Sequence, residues 1–212
     1  TTSNFFGESV STAEDVNGDG YSDLIIGASS YGGGNGRVSL YYGGSAMNNT
    51  ADVTFTGTTL TNFGNSVSNA GDVNGDGYSD VIVSAPYPFG NVYCYYGSSN
   101  GLPLSFSANF GNAPTLRFGS SIASAGDVNG DGFEDTVVGD WWWKRGGTSN
   151  AGAAYVLLGG PQPVGGSIGT GEAVGSVRID GPNKATESAG MSGSWGNDVN
   201  GDGPADLAPI HT

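Results

Sequence analysis

Four copies of an aspartate-rich loop of nine residues constrain the fold of this chain more than any other feature. The first copy reads Asp15-Val-Asn-Gly-Asp-Gly-Tyr-Ser-Asp23, and the same frame begins again at Asp72, Asp127 and Asp198. Oxygen donors at alternate positions of a loop bent by glycines suit a hard divalent cation, above all Ca²⁺. The sequence therefore predicts a repeat architecture whose loops bind a metal.

The predicted ligands are the side chains at loop positions 1, 3, 5 and 9 and the backbone carbonyl at position 7. They are, copy by copy, Asp15, Asn17, Asp19, Tyr21 and Asp23; Asp72, Asn74, Asp76, Tyr78 and Asp80; Asp127, Asn129, Asp131, Phe133 and Asp135; and Asp198, Asn200, Asp202, Pro204 and Asp206. Three carboxylates within nine residues repel one another without a cation. We therefore expect Ca²⁺ as a structural component at the first three loops, with the fourth loop as a further candidate.

The same six opening residues occur in EF-hand and dockerin loops, which end in an acidic ligand at position 12 and continue into a helix. Position 12 is here Ile26, Val83, Val138 or Pro209. Each of the first three loops runs into a short apolar segment rich in β-branched residues, as in Leu24-Ile25-Ile26. That pattern predicts a strand after the loop and argues against an EF-hand.

Each of the first three loops lies within a longer repeat. Phe-Gly and a short strand-like stretch precede the loop, at Phe6-Gly7, Phe63-Gly64 and Phe118-Gly119. After the loop strand come a third strand, as in residues 37–42, 91–96 and 153–158, and a weaker fourth near residues 53–55, 104–106 and 177–179. Four short strands per period predict an all-β propeller with blades at about 6–62, 63–117 and 118–188 and a partial blade at 189–212, in one domain.

The series of Phe-Gly, calcium loop and Gly-Ala or Ala-Pro strand ending resembles the FG-GAP repeat of the integrin α-subunit propeller. This resemblance implies that the calcium loops join the first and second strands of each blade on one face, and that the opposite face binds ligand. The fourth copy departs from the repeat, with Ala189-Gly190 in place of Phe-Gly and Pro204 in place of the aromatic residue.

The number of blades raises the question of closure. About three and a half blades fall short of the four to eight that usually close a propeller ring. An open arc leaves strand edges and blade faces available to another chain. The sequence is therefore consistent with a fragment, a small irregular ring, or a subunit that associates with copies of itself or with a larger propeller chain.

A ligand surface is predicted on the loops opposite the calcium loops. Its candidates are Trp141, Trp142, Trp143, Lys144, Arg145, Tyr31, Tyr87 and Phe89. Neighbouring side chains of an extended segment point to opposite faces, so three adjacent tryptophans cannot all enter one core. Exposed aromatic residues beside basic ones often bind sugars, peptides or a neighbouring subunit, and packing against the next blade is the alternative.

Composition excludes several other functions. The net charge is −14, and twelve of the twenty acidic residues are loop aspartates, so the acidity is mostly metal-binding charge. Six Lys and Arg residues provide no nucleic-acid surface. No apolar run is long enough to span a membrane. The single Cys94 is expected to be buried, and the single His211 lies next to the end of the sequence.

These observations favour an extracellular or cell-surface, non-enzymatic, calcium-binding module that recognises a protein or glycan ligand or serves in adhesion. Calcium loops of this kind operate where free Ca²⁺ is near millimolar, which supports that location. Two alternatives are a structural subunit that polymerises or completes a ring, and an accessory carbohydrate-binding propeller of a polysaccharide-active enzyme.

Overall fold

The structure is a computed structural model, and it describes residues 4–111, 117–143, 152–161, 166–167 and 176–180. Within these ranges the chain forms three sheets; each contains four antiparallel strands from one sequence repeat, and the second sheet has a short fifth strand in addition. The all-β propeller architecture expected from the repeats is thereby confirmed. The partial fourth blade, with its loop from Asp198, lies outside the described residues.

The strands of each blade follow in chain order from one edge of the sheet to the other. Blade 1 contains β1 (Ser9–Glu14), β2 (Asp23–Ala28), β3 (Arg37–Tyr41) and β4 (Val53–Thr56). Blade 2 contains β5 (Val67–Gly71), β6 (Asp80–Ala85), β7 (Asn91–Tyr95) and β8 (Ala108–Gly111). Blade 3 contains β9 (Ser121–Gly126), β10 (Asp135–Asp140), β11 (Ala153–Leu157) and β13 (Ser176–Asp180). A two-residue strand, β12 (Gly166–Ser167), pairs in parallel with β8.

The first strands of the three blades lie side by side, with β1 packed on β5 and β5 on β9. They form the inner side of the arc, from which the blades fan outward. Blade 2 lies between two described blades, and all residues of β6 are buried; all residues of β10 in blade 3 are buried as well. That double burial explains why their sequences read as continuous apolar and small residues rather than as an alternating pattern.

Two apolar cores hold the blades together, one in each seam between neighbouring sheets. The seam between blades 1 and 2 includes Ile25, Leu40 and Phe63. The seam between blades 2 and 3 includes Phe118 and Tyr155, whose rings meet edge to face at 5.3 Å. Cys94 is buried in this second seam, as expected, and burial raises the pKa of its thiol well above the usual range.

A β-bulge ends the first strand of each of the three described blades, directly before the aspartate-rich loop. The register between the first and second strands shifts at this point in all three sheets. The residue before the loop has a positive φ in each case: 54° at Glu14, 72° at Gly71 and 70° at Gly126. Glycine adopts this conformation freely, whereas a residue with a Cβ is strained there. Glu14 is thus the one strained member of the three.

Two expectations about local structure were wrong. The fourth strand of blade 2 is Ala108–Gly111 and not residues 104–106. The later segment forms the strand because Phe110 becomes buried opposite Val92, while Leu104 stays exposed. In addition, a short helical turn, α1 (Tyr31–Gly34), occurs where no helix was expected, and left-handed φ values at Gly32 and Gly33 interrupt it.

None of the described residues forms a helix with the length and apolar character needed to cross a membrane.

Candidate metal centre

The three described aspartate-rich loops occupy equivalent places in their blades. Residues 15–22 join β1 to β2, residues 72–79 join β5 to β6, and residues 127–134 join β9 to β10. All three therefore lie at the same end of the strands, on one face of the propeller. The loops that follow β2, β6 and β10, together with the segments that enter β5 and β9, lie at the opposite end.

The position 1 carboxylate organises the first half of each loop. Asp15 accepts the N–H groups of Gly18, Asp19 and Gly20 at 2.7, 3.0 and 2.8 Å. The equivalent distances around Asp72 are 2.7, 3.0 and 2.8 Å, and around Asp127 they are 2.7, 3.1 and 2.8 Å. The loop backbone thus folds around this carboxylate in the same way three times.

Positions 3 and 5 continue the same pattern. In the first loop, the Asn17 side-chain oxygen accepts the Asp19 N–H at 2.9 Å, and Asp19 accepts the Tyr21 N–H at 2.9 Å. The Asn17 amide also donates to the other oxygen of Asp19 at 3.1 Å. Both other described loops repeat these three bonds. The polar side chains at alternate positions therefore lie on one side of a tightly turned backbone.

The position 9 aspartate differs from the other ligands because it is fully buried in each loop. In the second loop, one carboxylate oxygen of Asp80 accepts the N–H of Val73 at 3.0 Å, and the other accepts the N–H of Gly97 at 2.9 Å. Asp23 and Asp135 make the same pair of bonds in their own blades. This residue thereby ties the start of the loop to the end of the third strand.

Burial raises the pKa of Asp80 to about 7, although its two backbone hydrogen bonds lower it, and the carboxylates of Asp76 and Asp72 add a further increase. Burial likewise raises the pKa of Asp23 and Asp135, again with an upward contribution from the other aspartates of the loop. The three carboxylates of a loop are therefore close enough to repel one another. A nearby divalent cation is the natural counter-charge for such a group.

The donor set fits Ca²⁺. No three Asp, Glu, His or Cys side chains are already drawn together as a metal cluster in the part of the chain that the structure describes, because the loop carboxylates point at backbone N–H groups. At position 1, Oδ1 of the aspartate accepts two N–H bonds, but Oδ2 accepts only one and so keeps a lone pair for a cation. Three carboxylates, an amide oxygen and a backbone carbonyl are ligands that Ca²⁺ prefers.

A contact between successive loops was not anticipated from the sequence. The Tyr78 ring lies on Gly18 of the preceding loop, where an added Cβ would be only 2.7 Å from Cε1. Phe133 covers Gly75 in the same way, at 2.6 Å. The recurrence of an aromatic residue at position 7 is the sequence signal for this contact. The side chain at this position docks one blade on another.

Backbone hydrogen bonds reinforce this link between loops. The carbonyl of Asp15 accepts the Ser79 N–H at 3.2 Å, and the carbonyl of Asp72 accepts the Glu134 N–H at 3.3 Å. Glu14, directly before the first loop, also reaches the second blade, where its carboxylate accepts bonds from Asn69 at 2.8 Å and Ser79 at 3.2 Å. The strained bulge residue of blade 1 therefore bridges two blades.

The predicted ligand surface is assembled in part. The guanidinium of Arg117 lies over the rings of Tyr87 and Trp141, at 4.4 and 5.4 Å from their centroids, so it joins the loops of blades 2 and 3. Trp141 meets Trp142 edge to face at 5.1 Å. Arg117 was not among the predicted residues, and its position one residue before Phe118 was the only available signal.

The other candidates on this face differ in their surroundings. Trp143 packs against the core between blades 2 and 3, and all three tryptophans are half-buried. Tyr31 lies under the guanidinium of its own blade's Arg37, 3.6 Å from the ring centroid. Phe89 is mostly exposed. Lys144 and Arg145 lie outside the described residues.

Two segments of the chain match models of known repeats. Residues 6–41 match the FG-GAP repeat, and residues 72–138 match the FG-GAP-like repeat. Together with the three blades and their loops, these matches define the class: the described part of the chain is a β-propeller segment that contains FG-GAP repeats.

Its sequence resembles integrin α-subunits in particular. It is 36% identical to integrin alpha-4 of Xenopus laevis over 64% of the chain, 38% identical to integrin alpha-6 of Homo sapiens over 59%, and 37% identical to integrin alpha-IIb of Mus musculus over 64%. The chain spans only 14%, 12% and 15% of the length of these relatives, respectively.

Proposed function

We propose that this chain is a calcium-stabilised recognition module that operates outside the cell or at its surface and binds a protein or glycan ligand through the loops opposite its calcium loops. The observation that carries this proposal is the cluster of Arg117, Tyr87 and Trp141, which spans two blades at the end of the strands opposite the metal loops. A surface that two rigid blades build together is well suited to specific binding.

The chemistry of this cluster favours a ligand that carries hydrogen-bond acceptors. The guanidinium of Arg117 offers N–H donors and no acceptor, so a ligand oxygen is its natural partner. Carboxylates of acidic peptides and hydroxyl groups of sugars both meet that requirement, while the aromatic rings provide apolar contact.

In the metal loops, Asp72, Asn74, Asp76 and Asp80 would hold Ca²⁺ with the carbonyl of Tyr78, and the other loops would do so with their equivalent residues. The cation supplies positive charge to three crowded carboxylates. The chain's own residues anchor the loop: the position 9 aspartate fixes it to the third strand, and the position 7 ring fixes it to the preceding blade. We therefore propose that calcium sets the angle between blades and keeps the opposite loops rigid.

A non-enzymatic role is the proposal best supported by the titratable groups. The whole sequence has one His and one Cys, and the Cys94 thiol is buried with a raised pKa. A nucleophile needs an adjacent base or a lowered pKa to be reactive. Similarity to integrin α-subunits supports both recognition as the function and a location outside the cell or at its surface.

The test is binding of the 212-residue chain to a glycan array and to a panel of purified extracellular-matrix proteins, in calcium chloride and in EDTA. Trp141→Ala and Tyr87→Ala are expected to weaken binding at least tenfold, as interface aromatic residues commonly do. Leu104→Ala is the matched control, because Leu104 is 81% exposed and belongs to neither candidate site.

Two results would contradict the proposal. One is binding that Trp141→Ala and Tyr87→Ala leave unchanged while both variants stay folded. The other is a chain that binds no Ca²⁺ by isothermal titration calorimetry at millimolar concentration.

A further inference from the structure

The loop between β3 and β4 of blade 1 contains a motif that neither the metal loops nor the candidate ligand surface uses. Asn48-Asn49-Thr50 is an Asn-X-Thr triplet, the acceptor motif for N-linked glycosylation. It is the only Asn-X-Ser or Asn-X-Thr triplet in the sequence. Attachment of an N-linked glycan to this chain is thereby restricted to one loop.

The base of this loop is anchored, while its tip is exposed. The N–H of Gly43 donates to Asp23 at 2.8 Å, and the N–H of Tyr42 donates to Asp52, also at 2.8 Å. Residues 45–50, which lie between these anchor points, are all exposed. The triplet therefore lies at the tip of a loop whose two ends are held in place.

The equivalent part of blade 2 is open to solvent although that blade has a described neighbour on each side. Val53 and Ala108 begin the fourth strands of blades 1 and 2 and pair with equivalent residues of the third strands. Counted back from them, the triplet corresponds to Pro103-Leu104-Ser105. The first of these three residues is half-buried, and the other two are exposed. Neighbouring blades therefore leave this part of the loop accessible.

A hydrogen bond inside the triplet holds it in a defined turn. The N–H of Thr50 donates to Oδ1 of Asn48 at 2.7 Å, which is the arrangement of an Asx turn. The bond engages the amide oxygen of Asn48 and draws electron density towards it. The N–H groups on Nδ2 therefore become more acidic, and Nδ2 is the atom that forms the bond to a sugar in N-linked glycosylation.

We propose that Asn48 accepts an N-linked oligosaccharide from a polyprenyl diphosphate donor. In this transfer, Nδ2 bonds to the anomeric carbon of the first sugar, and the bond from that carbon to a diphosphate oxygen breaks. The polyprenyl diphosphate leaves with the electron pair, Nδ2 loses one proton to a base, and nothing is oxidised or reduced. The assignment rests on the proposed function in one respect, because such glycans are added to proteins on their way out of the cell.

The position of the glycan in the fold has a consequence for binding. The loop begins beside Asp23, the position 9 aspartate, so Asn48 lies at the same end of the strands as the metal loops. The candidate ligand surface around Arg117 lies at the opposite end. A bulky, hydrated oligosaccharide on Asn48 would leave that surface free and would keep other proteins from packing closely on the metal-loop side of blade 1.

The experiment is expression of the 212-residue chain behind a cleavable secretion signal in cultured animal cells, followed by treatment with peptide-N-glycosidase F. We expect a product above the 21.3 kDa of the chain, which the enzyme returns to the unmodified mass while converting the asparagine at position 48 to aspartate. Asn48→Gln should abolish the modification. Asn49→Gln is the matched control and should be modified like the unaltered chain, because it preserves the triplet.

Two variants at position 50 separate glycosylation from the conformation of the loop. Thr50→Ala keeps the backbone N–H that donates to Asn48 but removes the hydroxyl group of the motif, so the modification should be lost. Thr50→Ser should retain it. Cell lysate and medium are both analysed, so a variant that is not secreted is still scored. An unmodified Asn48 in the unaltered chain overturns the proposal, and so does a glycan that Thr50→Ala retains.

Ligand binding distinguishes this proposal from the proposed function. The added signal supplies the route through the glycosylating compartment, so Asn48 is tested whether or not the chain binds a ligand. A glycosylated chain without a ligand would contradict the proposed function alone. Asn48→Gln should bind calcium and ligand like the unaltered chain; loss of ligand binding at unchanged calcium stoichiometry would overturn the separation of the glycan from the ligand surface.

Discussion

Phe118 and Phe6 occupy the same position of the repeat in opposite environments, which makes them a matched pair for measuring what a seam contributes. Phe118 is fully buried and meets Tyr155 edge to face, whereas Phe6 is 58% exposed. We predict that Phe118→Ala strongly destabilises the folded chain. Phe6→Ala should change its free energy of unfolding by less than about 0.5 kcal/mol, as exposed substitutions usually do.

The magnitude for Phe118 follows from its surroundings. Replacing a buried Phe by Ala costs about 3 to 5 kcal/mol, because apolar transfer energy is lost and a cavity remains. The aromatic pair with Tyr155 adds about 0.5 to 1.5 kcal/mol, and the close contact with the glycine before β7 limits collapse of the cavity. An estimate near the upper end, about 4 to 5 kcal/mol, is therefore appropriate.

The assay is urea denaturation followed by tryptophan fluorescence, in excess calcium and at a concentration low enough to keep the chain monomeric. The midpoint should fall for Phe118→Ala and hold for Phe6→Ala, with similar slopes for both. Equal losses in the two variants would refute the reasoning, because they would mean that blade 1 is covered as fully as blade 3. A small loss for Phe118→Ala would show that the seam tolerates a cavity.

Four further predictions concern the aspartate-rich loops and the residue directly before the first of them. Removing calcium with EDTA should lower the melting temperature, since each site adds about 2.7 kcal/mol to the free energy of unfolding when calcium is a hundredfold above its dissociation constant. Asp76→Ala should reduce the calcium stoichiometry measured by calorimetry by one. In EDTA, the raised pKa of Asp80 means that the folded chain holds a proton that the unfolded chain releases. The free energy of unfolding should therefore fall as pH rises from about 4 to about 7. Asp80→Asn should flatten that pH dependence in urea titrations. Glu14→Gly should be about 1 kcal/mol more stable than Glu14→Ala, because both lose the bonds to blade 2 but only glycine relieves the positive φ; equal midpoints would contradict the strain.

The sequence predicted the repeat, the order of strands and the place of each loop because these depend on local patterns. Apolar runs such as Val81-Ile82-Val83 and the frame from Asp72 to Asp80 can be recognised within a few residues. The fourth strand of blade 2 was misplaced because Leu104 and Phe106 have strand-like side chains. Burial of Phe110 against Val92 decided its position, and that choice depends on the neighbouring strand.

Contacts between blades were the part of the site that local patterns did not reveal. The docking of Tyr78 on Gly18 joins residues sixty positions apart. The pattern within a single loop indicates only a role for the backbone carbonyl at position 7. Arg117 joins two loops of the predicted ligand surface for the same non-local reason. The bridge from Glu14 to Asn69 and Ser79 is likewise visible only once the two blades are packed together.

Each seam is formed by glycines of one repeat and aromatic residues of the next. This division determines how such a chain can lose or gain repeats in evolution. Excision of the whole period 63–117 would bring Phe133 onto Gly18 and Phe118 towards Gly36, which restores the aromatic contacts of the seam. An excision that removes less or more than a whole repeat would leave both halves mismatched. Glu14 is the exception, because it would then face the acidic Glu134 where it now meets Ser79, so a gene that lost this period would next have to change one of those two glutamates.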